Sequence, residues 1–296
     1  MLSGQARRLR FRLARAAHGF WRFRFLRSAN RLFGKLEQPL LLSRPFAGHR
    51  LFLDVSRSAF QQLLYLQGES LCHERFLLSG LLQAGMRVVD VGANIGYYLL
   101  LFERAVGIGG EVICIEPSPE NLVELKANIE FNALRNVRLF ECAVGAAKGT
   151  VGLKSGINGG VVPLETGAFV SAIHRLDSLI DQHVDFLKID VEGYEGQVLE
   201  GAEGIIRRDR PILFLEYHPQ LVTAHGHCFQ DILAFLSRYY KNIEYFDVAE
   251  RSSFTEKVLT RYLNRDAVRR IDVSGIPELQ MHIGRLFGTF WMVGRP

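Results

Sequence analysis

Hydrophobic and polar residues along this chain alternate in short runs, and helical stretches of roughly ten residues separate the runs. GHRLFLDVS (48–56) alternates as a strand does. A helical stretch with Phe60, Leu63 and Leu64, then Phe76, Leu77 and Leu81, leads into Gly85. RVVDVG (87–92), EVICIE (111–116), VRLFECAV (137–144), DFLKID (185–190) and PILFLEYH (211–218) read as strands. Helical periodicity fills 95–105 and 119–132, and returns at Val198, Leu199, Ala202 and Ile205. Strands alternating with helices of this length predict an α/β fold, a parallel sheet covered on both faces. Two later runs, NIEYFDV (242–248) and GTFWMVGR (288–295), flank a polar insertion with no long helix between them, which predicts an antiparallel last strand. There is no internal repeat and no low-complexity segment. The pattern divides the chain into a leader, 1–47, and one domain, 48–296, with an insertion at 249–286.

With 296 residues, 48% of them hydrophobic, the chain can bury a large core. Its net charge of +5 is unevenly spread. Residues 1–36 hold ten of the 36 Lys and Arg and no acid, which leaves 26 basic against 31 acidic residues, a net of −5. A mildly acidic body argues against a nucleic-acid-binding main domain. In the leader, Arg8, Arg12, Arg15 and Arg22 fall on one helical stripe and Leu9, Leu13, Ala16, Phe20 and Phe23 on another. Such a stretch suits peripheral contact with an anionic membrane, a mitochondrial transit peptide, or a solvated tail. The expected location is cytoplasmic, peripheral on the inner membrane surface, with mitochondrial as the alternative. Cys72, Cys114, Cys142 and Cys228 are dispersed without a C-x-x-C pair, as reduced core cysteines are. No run approaches 18 uninterrupted apolar residues.

Candidate chemistry starts at VVDVGANIGYY (88–98), where a strand runs into a glycine turn and a helix. Ligands of open parallel sheets bind beyond the carboxyl ends of the strands. Gly92 and Gly96 allow close backbone approach, and Asp90 sits just before the turn. The NAD spacing G-x-G-x-x-G is broken by Asn94 and Tyr97, so a pyrophosphate cradle is incompletely supplied. S-adenosylmethionine has no pyrophosphate; it needs a carboxylate near its amino-acid end, a glycine turn, and an acid for the ribose. Glu116, closing the next strand 24 residues after Gly92, is placed to accept from both ribose hydroxyls. A second feature is DFLKIDVEGYEG (185–196), where Lys188, Asp190 and Glu192 interleave with apolar Phe186, Leu187, Ile189 and Val191. Period two predicts one strand face for the three charges.

VVDVGANIGYY, GGEVICIEPSPENLVELKANIEFN (109–132), HRLDSLI (174–180), DFLKIDVEGYEGQVLEGA (185–202) and ILFLEYHP (212–219) together resemble the FkbM family of methyltransferases. The resemblance spans roughly residues 50–220 and does not reach the leader or the 249–286 insertion. It implies a Rossmann-like, doubly wound, mostly parallel seven-stranded sheet with an antiparallel last strand. It also implies S-adenosylmethionine as cofactor and O-methylation of a hydroxyl on a sugar, glycan, glycolipid or secondary metabolite. Carried over residue by residue, Asp90, Gly92, Asn94 and Gly96 would line the methionine end and Glu116 would hold the ribose. Pro117 and Ser118 would shape the adenine side, with Glu141, Cys142 and Ala143 bordering it. Lys188, Asp190 and Glu192 would form the polar floor where cofactor and acceptor meet. Asp190 or Glu192 would act as general base, Lys188 keeping one carboxylate ionised and His218 standing as runner-up base. No metal site is expected, although Asp190, Glu192 and Glu216 have the oxygens that Mg²⁺ prefers. Two other readings stay open: a non-catalytic binding protein of the same fold, and a nucleic-acid methyltransferase. The intact glycine turn and both acids speak against the first. The acidic body and the lack of an N-P-P-Y or D-P-P-Y motif speak against the second.

Overall fold

A computed structural model describes residues 39–68, 75–156, 158–248, 268–270 and 290–296. The basic stretch 1–36, Cys72 and most of the insertion lie outside the described residues. The chain opens with an antiparallel hairpin, β1 (Leu41–Phe46) and β2 (His49–Asp54), paired from Leu41↔Asp54 to Phe46↔His49. Ala47 and Gly48 both take positive φ, 50° and 81°, as a two-residue turn matched to strand twist requires. The predicted boundary at 47/48 is therefore corrected. Residues 41–46 belong to the folded domain, because β1 needs β2 for its backbone bonds and Phe46 is buried with Leu51 and Leu53.

Helices α1 (Ala59–Gln67) and α2 (Arg75–Ser79) lead to the first sheet strand, β3 (Arg87–Val91), followed by α3 (Tyr97–Val106) and β4 (Glu111–Ile115). Next comes α4 (Pro119–Phe131), which starts as its sequence asks, with Ser118 as N-cap and Pro119 in the first turn. Its side chains anchor the hairpin: Phe52 N–H donates to Asn128 Oδ1 at 2.7 Å, and Asn128 Nδ2 donates back to Phe52 O at 2.9 Å.

The run 137–144, expected as one strand, is two: β5 (Val137–Phe140) and β6 (Ala143–Val144), separated at Glu141 and Cys142. β6 joins a small second sheet with β7 (Gly149–Leu153), β8 (Val161–Val162) and β9 (Phe169–His174), in order β6-β9-β7-β8. The short helix α5 (Leu176–Leu179) then enters β10 (Phe186–Ile189). The helical run around Val198 is broken at Ala202 into α6 (Glu195–Gly201) and α7 (Glu203–Asp209). β11 (Ile212–Tyr217), α8 (Phe229–Ser237), β12 (Asn242–Val248), β13 (Val268–Arg270) and β14 (Phe290–Arg295) complete the fold.

The main sheet runs β13-β12-β14-β11-β10-β3-β4-β5. Seven of these strands make the expected doubly wound, mostly parallel sheet, with β14 antiparallel to both β11 and β12. β13 is an eighth, edge strand contributed by the insertion. Period two sorts the strand residues between two cores. Val89, Val91, Leu187, Ile189, Leu213 and Leu215 pack with residues of α6, α7 and α8. Val88, Val112, Phe186 and Phe214 pack under Tyr98, Leu99 and Phe102 of α3. Lys188 and Asp90 lie on this second side, directly opposite each other in the β10–β3 register. Among the described residues no helix is long and apolar enough to cross a membrane.

Candidate active site

A cleft opens at the carboxyl ends of β3, β4 and β10. Gly92, Asn94, Glu116, Pro117, Cys142, Ala143, Asp190 and Glu192, all anticipated from sequence, line it. Asp90, Gly96, Ser118, Lys188 and His218 do not. Four lining side chains are carboxylates (Glu116, Asp190, Glu192 and Glu216), and no Lys, Arg or His is among the described lining residues.

The glycine turn is forced by backbone contact. Gly92 has φ +82°, and a Cβ there would stand 1.8 Å from the Asp190 carbonyl oxygen. Gly96 serves packing rather than the cleft, since a Cβ would meet Leu125 Cδ1 at 2.7 Å. Glu116 is buried and stitches three segments together. It accepts from Asn94 N–H at 2.8 Å, Ser118 N–H at 2.9 Å and Asn121 Nδ2 at 3.2 Å. Burial raises its pKa, and these hydrogen bonds act in the opposite direction. Ser118 itself faces inward and caps α4. Glu141 points away from the cleft and pairs with Lys126 at 2.7 Å.

The three charges of the 185–196 stretch divide between two layers, which corrects the expectation of a single polar floor. Lys188 is fully buried beneath the turn. Its Nζ donates to Asp90 Oδ1 at 2.9 Å and to Gly92 O at 3.1 Å, lies 3.5 Å from Asp190 Oδ2, and sits 4.7 Å from the Tyr98 ring centre. Burial works against the ammonium, but Asp90 and then Asp190 outweigh it, so the pKa rises and Lys188 stays charged. Its first partner is thus Asp90, and it clamps the turn from below. Asp190 and Glu192 follow the end of β10, and Glu192 adopts φ 52°, an uncommon conformation for a side-chain-bearing residue.

Behind them stands His218, just past β11. Its Nδ1 lies 2.6 Å from Oε1 of Glu195, while Nε2 lies 3.5 Å from Glu192 Oε2 and 3.9 Å from Asp190 Oδ1. Glu195 is fully buried and also accepts from Gly193 N–H at 3.1 Å. Burial opposes a charge on His218, yet the Glu195 hydrogen bond and the three carboxylates lift its pKa to about 9. A pKa raised in this way disfavours the role of base suggested for His218. Glu195 escaped the sequence reading, although its spacing three residues after Glu192 was a signal. The segment Asn158–Val161, with Tyr97, Tyr98 and Tyr194, also walls the cleft without having been foreseen.

The sequence profile of the "Methyltransferase FkbM domain" matches residues 90–243, just over half of the chain. Among solved structures, the chain is similar to a methyltransferase FkbM from Methylobacillus flagellatus KT, at 24% identity and TM-score 0.44, over 58% of this chain and 43% of that one. The chain thus spans less than half the length of that relative. It is also similar to a SAM-dependent O-methyltransferase from Thermotoga maritima, at 14% identity and TM-score 0.40, over 75% and 64% of the two chains. A putative rRNA-methylase from Clostridium thermocellum is similar at 11% identity and TM-score 0.43, over 76% and 95%. No curated protein sequence matches.

Proposed function

The chain belongs to the methyltransferase FkbM domain family, and from that premise we propose that it is an S-adenosylmethionine-dependent O-methyltransferase acting on a hydroxyl of a sugar, glycan, glycolipid or secondary metabolite. The observation that carries this reading is the cleft wall, with four carboxylates and no basic side chain among its described residues. Such a wall attracts a cationic ligand and repels a polyphosphate or a nucleic-acid backbone. The donor fits the residues present. Glu116 keeps about one of its roughly four acceptor sites beyond its three protein hydrogen bonds, enough for one ribose hydroxyl. The Gly92–Asn94 turn suits the methionine end, and Pro117, Cys142 and Ala143 suit the adenine.

When bound, S-adenosylmethionine supplies a methyl that passes to the acceptor oxygen while the sulfur keeps the bonding pair. The protein's share is positioning and removal of the hydroxyl proton. Asp190 is the residue we assign to take that proton: it lines the cleft, and Lys188, although its Nζ lies 3.5 Å from Asp190 Oδ2, donates its hydrogen bonds to Asp90 and Gly92. The charge on His218 opposes the burial that raises the Glu192 pKa. The acid-free first 36 residues add to the proposal a peripheral contact with an anionic membrane, which suits a lipid-linked acceptor.

The test is Asp190→Asn, assayed with labelled S-adenosylmethionine against hydroxyl-bearing acceptors. Turnover should fall by about 10²–10⁴, with donor affinity and melting temperature near wild type. Calorimetry showing that wild type prefers NAD, or binds no S-adenosylmethionine, would overturn the reading.

A further inference from the structure

We propose that Asp190, Glu192 and His218 form a binding site for a divalent transition-metal ion at the floor of the cleft. One ligand atom from each lies within 4.8 Å of the others. Nε2 of His218 is 3.5 Å from Glu192 Oε2 and 3.9 Å from Asp190 Oδ1, longer than hydrogen bonds. Those separations suit ligands of a common ion. At about 2.1 Å from a metal, two ligand atoms stand ~3.4 Å apart at a tetrahedral angle and ~4.2 Å apart when opposite.

A second observation concerns the imidazole. His218 is 6% exposed, and its ring is fixed from behind by Glu195, whose Oε1 meets Nδ1 at 2.6 Å. Glu195 is itself wholly buried and positioned by Gly193 N–H. A buried carboxylate on the far nitrogen is what sets the direction and donor strength of a ligating histidine. Nε2 is thereby aimed at the two carboxylates, and an ion there takes the place of a proton. The chemistry selects the ion: one imidazole with two carboxylates suits Mn²⁺, Fe²⁺ or Zn²⁺ better than Mg²⁺, which favours oxygens alone. The three ligands also differ from the oxygen set legible in sequence. Glu216 stands outside the cluster and accepts from Trp291 Nε1 at 3.1 Å.

Asp190 and Glu192 line the cleft, so the ion's open positions face the acceptor. Bound there, a hydroxyl oxygen would be polarised and would lose its proton more readily to a carboxylate lining the cleft. What the ion does rests on the methyl-transfer reading; whether it binds does not.

The experiment uses the full chain, stripped with EDTA and titrated calorimetrically with MnCl₂, ZnCl₂ and MgCl₂, with bound metal counted by elemental analysis. S-adenosylmethionine affinity is measured on the same samples. The expected result is about one equivalent of Mn²⁺ or Zn²⁺, weakened at least tenfold in both Asp190→Asn and Glu192→Gln, whose melting temperatures should match wild type. Glu195→Gln should weaken binding by about 10–100-fold while leaving all three ligands in place. Absence of stoichiometric binding at millimolar metal overturns the proposal, as does binding untouched by both carboxylate variants. If donor binding persists in that case, only the metal site has failed. If the donor also fails to bind, the methyltransferase reading fails with it.

Discussion

Replacing Lys188 by Met tests whether the pair beneath the glycine turn is part of the fold or an accessory of the cleft. Met nearly matches the length of the lysine stem and stays apolar, so the perturbation is loss of the ammonium. Both Lys188 and Asp90 are fully buried, and Asp90 Oδ2 already has no hydrogen-bond partner among the described residues. Without Nζ, Asp90 Oδ1 and the Gly92 carbonyl lose their donor as well. Breaking a buried pair from one side costs about 3–5 kcal/mol, because a desolvated charge is left behind. For a domain of this size that is a fall in melting temperature of ~6–20 °C. Urea unfolding followed by circular dichroism gives the measurement, provided the m-value is unchanged. The pH dependence carries a sign. Burial raises the Asp90 pKa, and losing Lys188 removes what opposes that rise. A group with a raised folded pKa stabilises below its unfolded pKa and less as pH rises. The variant should therefore lose less stability near pH 5 than near pH 8. Adding Asp90→Leu removes the stranded charge and should recover most of the loss, a strong non-additivity. A Lys188→Met cost under about 1 kcal/mol, or a double variant as unstable as the two losses summed, refutes the reasoning.

Glu116→Ala should weaken S-adenosylmethionine binding by roughly 1.5–3 kcal/mol in calorimetry, the cost of a lost charged acceptor. Gly92→Ala should cost about 3 kcal/mol or more in denaturant unfolding, since its Cβ would collide with the Asp190 carbonyl on a left-handed backbone. Asp209 lies far from the cleft. Burial opposes its charge, but Arg208, the Val184 N–H and His183 more than compensate, so its pKa is lowered. That contribution is present above the ordinary carboxylate pKa of about 3.9 and is lost as pH falls through the lower folded value. Asp209→Asn should accordingly be less stable than wild type near neutrality, with the difference vanishing in acid-unfolding curves as the wild-type carboxylate protonates.

The sequence by itself determined the order and kind of the sheet's parallel strands, because five runs of alternating apolar residues with helical spacers admit few other packings. It located the glycine turn at Gly92, the acid at Glu116 and the carboxylates of 190 and 192, since each closes a strand whose end must face the ligand. It did not reveal the hairpin that begins at Leu41, whose first strand is held by β2, itself tied to Asn128 far along the chain, rather than by its own pattern. Nor did it reveal the sheet of β6 to β9, where Gly-rich segments weaken the alternation that marks a strand. Above all, period two gave Lys188 a face but not a depth. Only the parallel register of β10 against β3 sets that lysine opposite Asp90, 98 positions away in the chain, with Tyr98 closing over it. The same holds for His218, whose charge comes from Glu195, Asp190 and Glu192 on neighbouring segments. A side chain's ionisation is set by which charges surround it and how far water is excluded, and both are properties of the packed sheet.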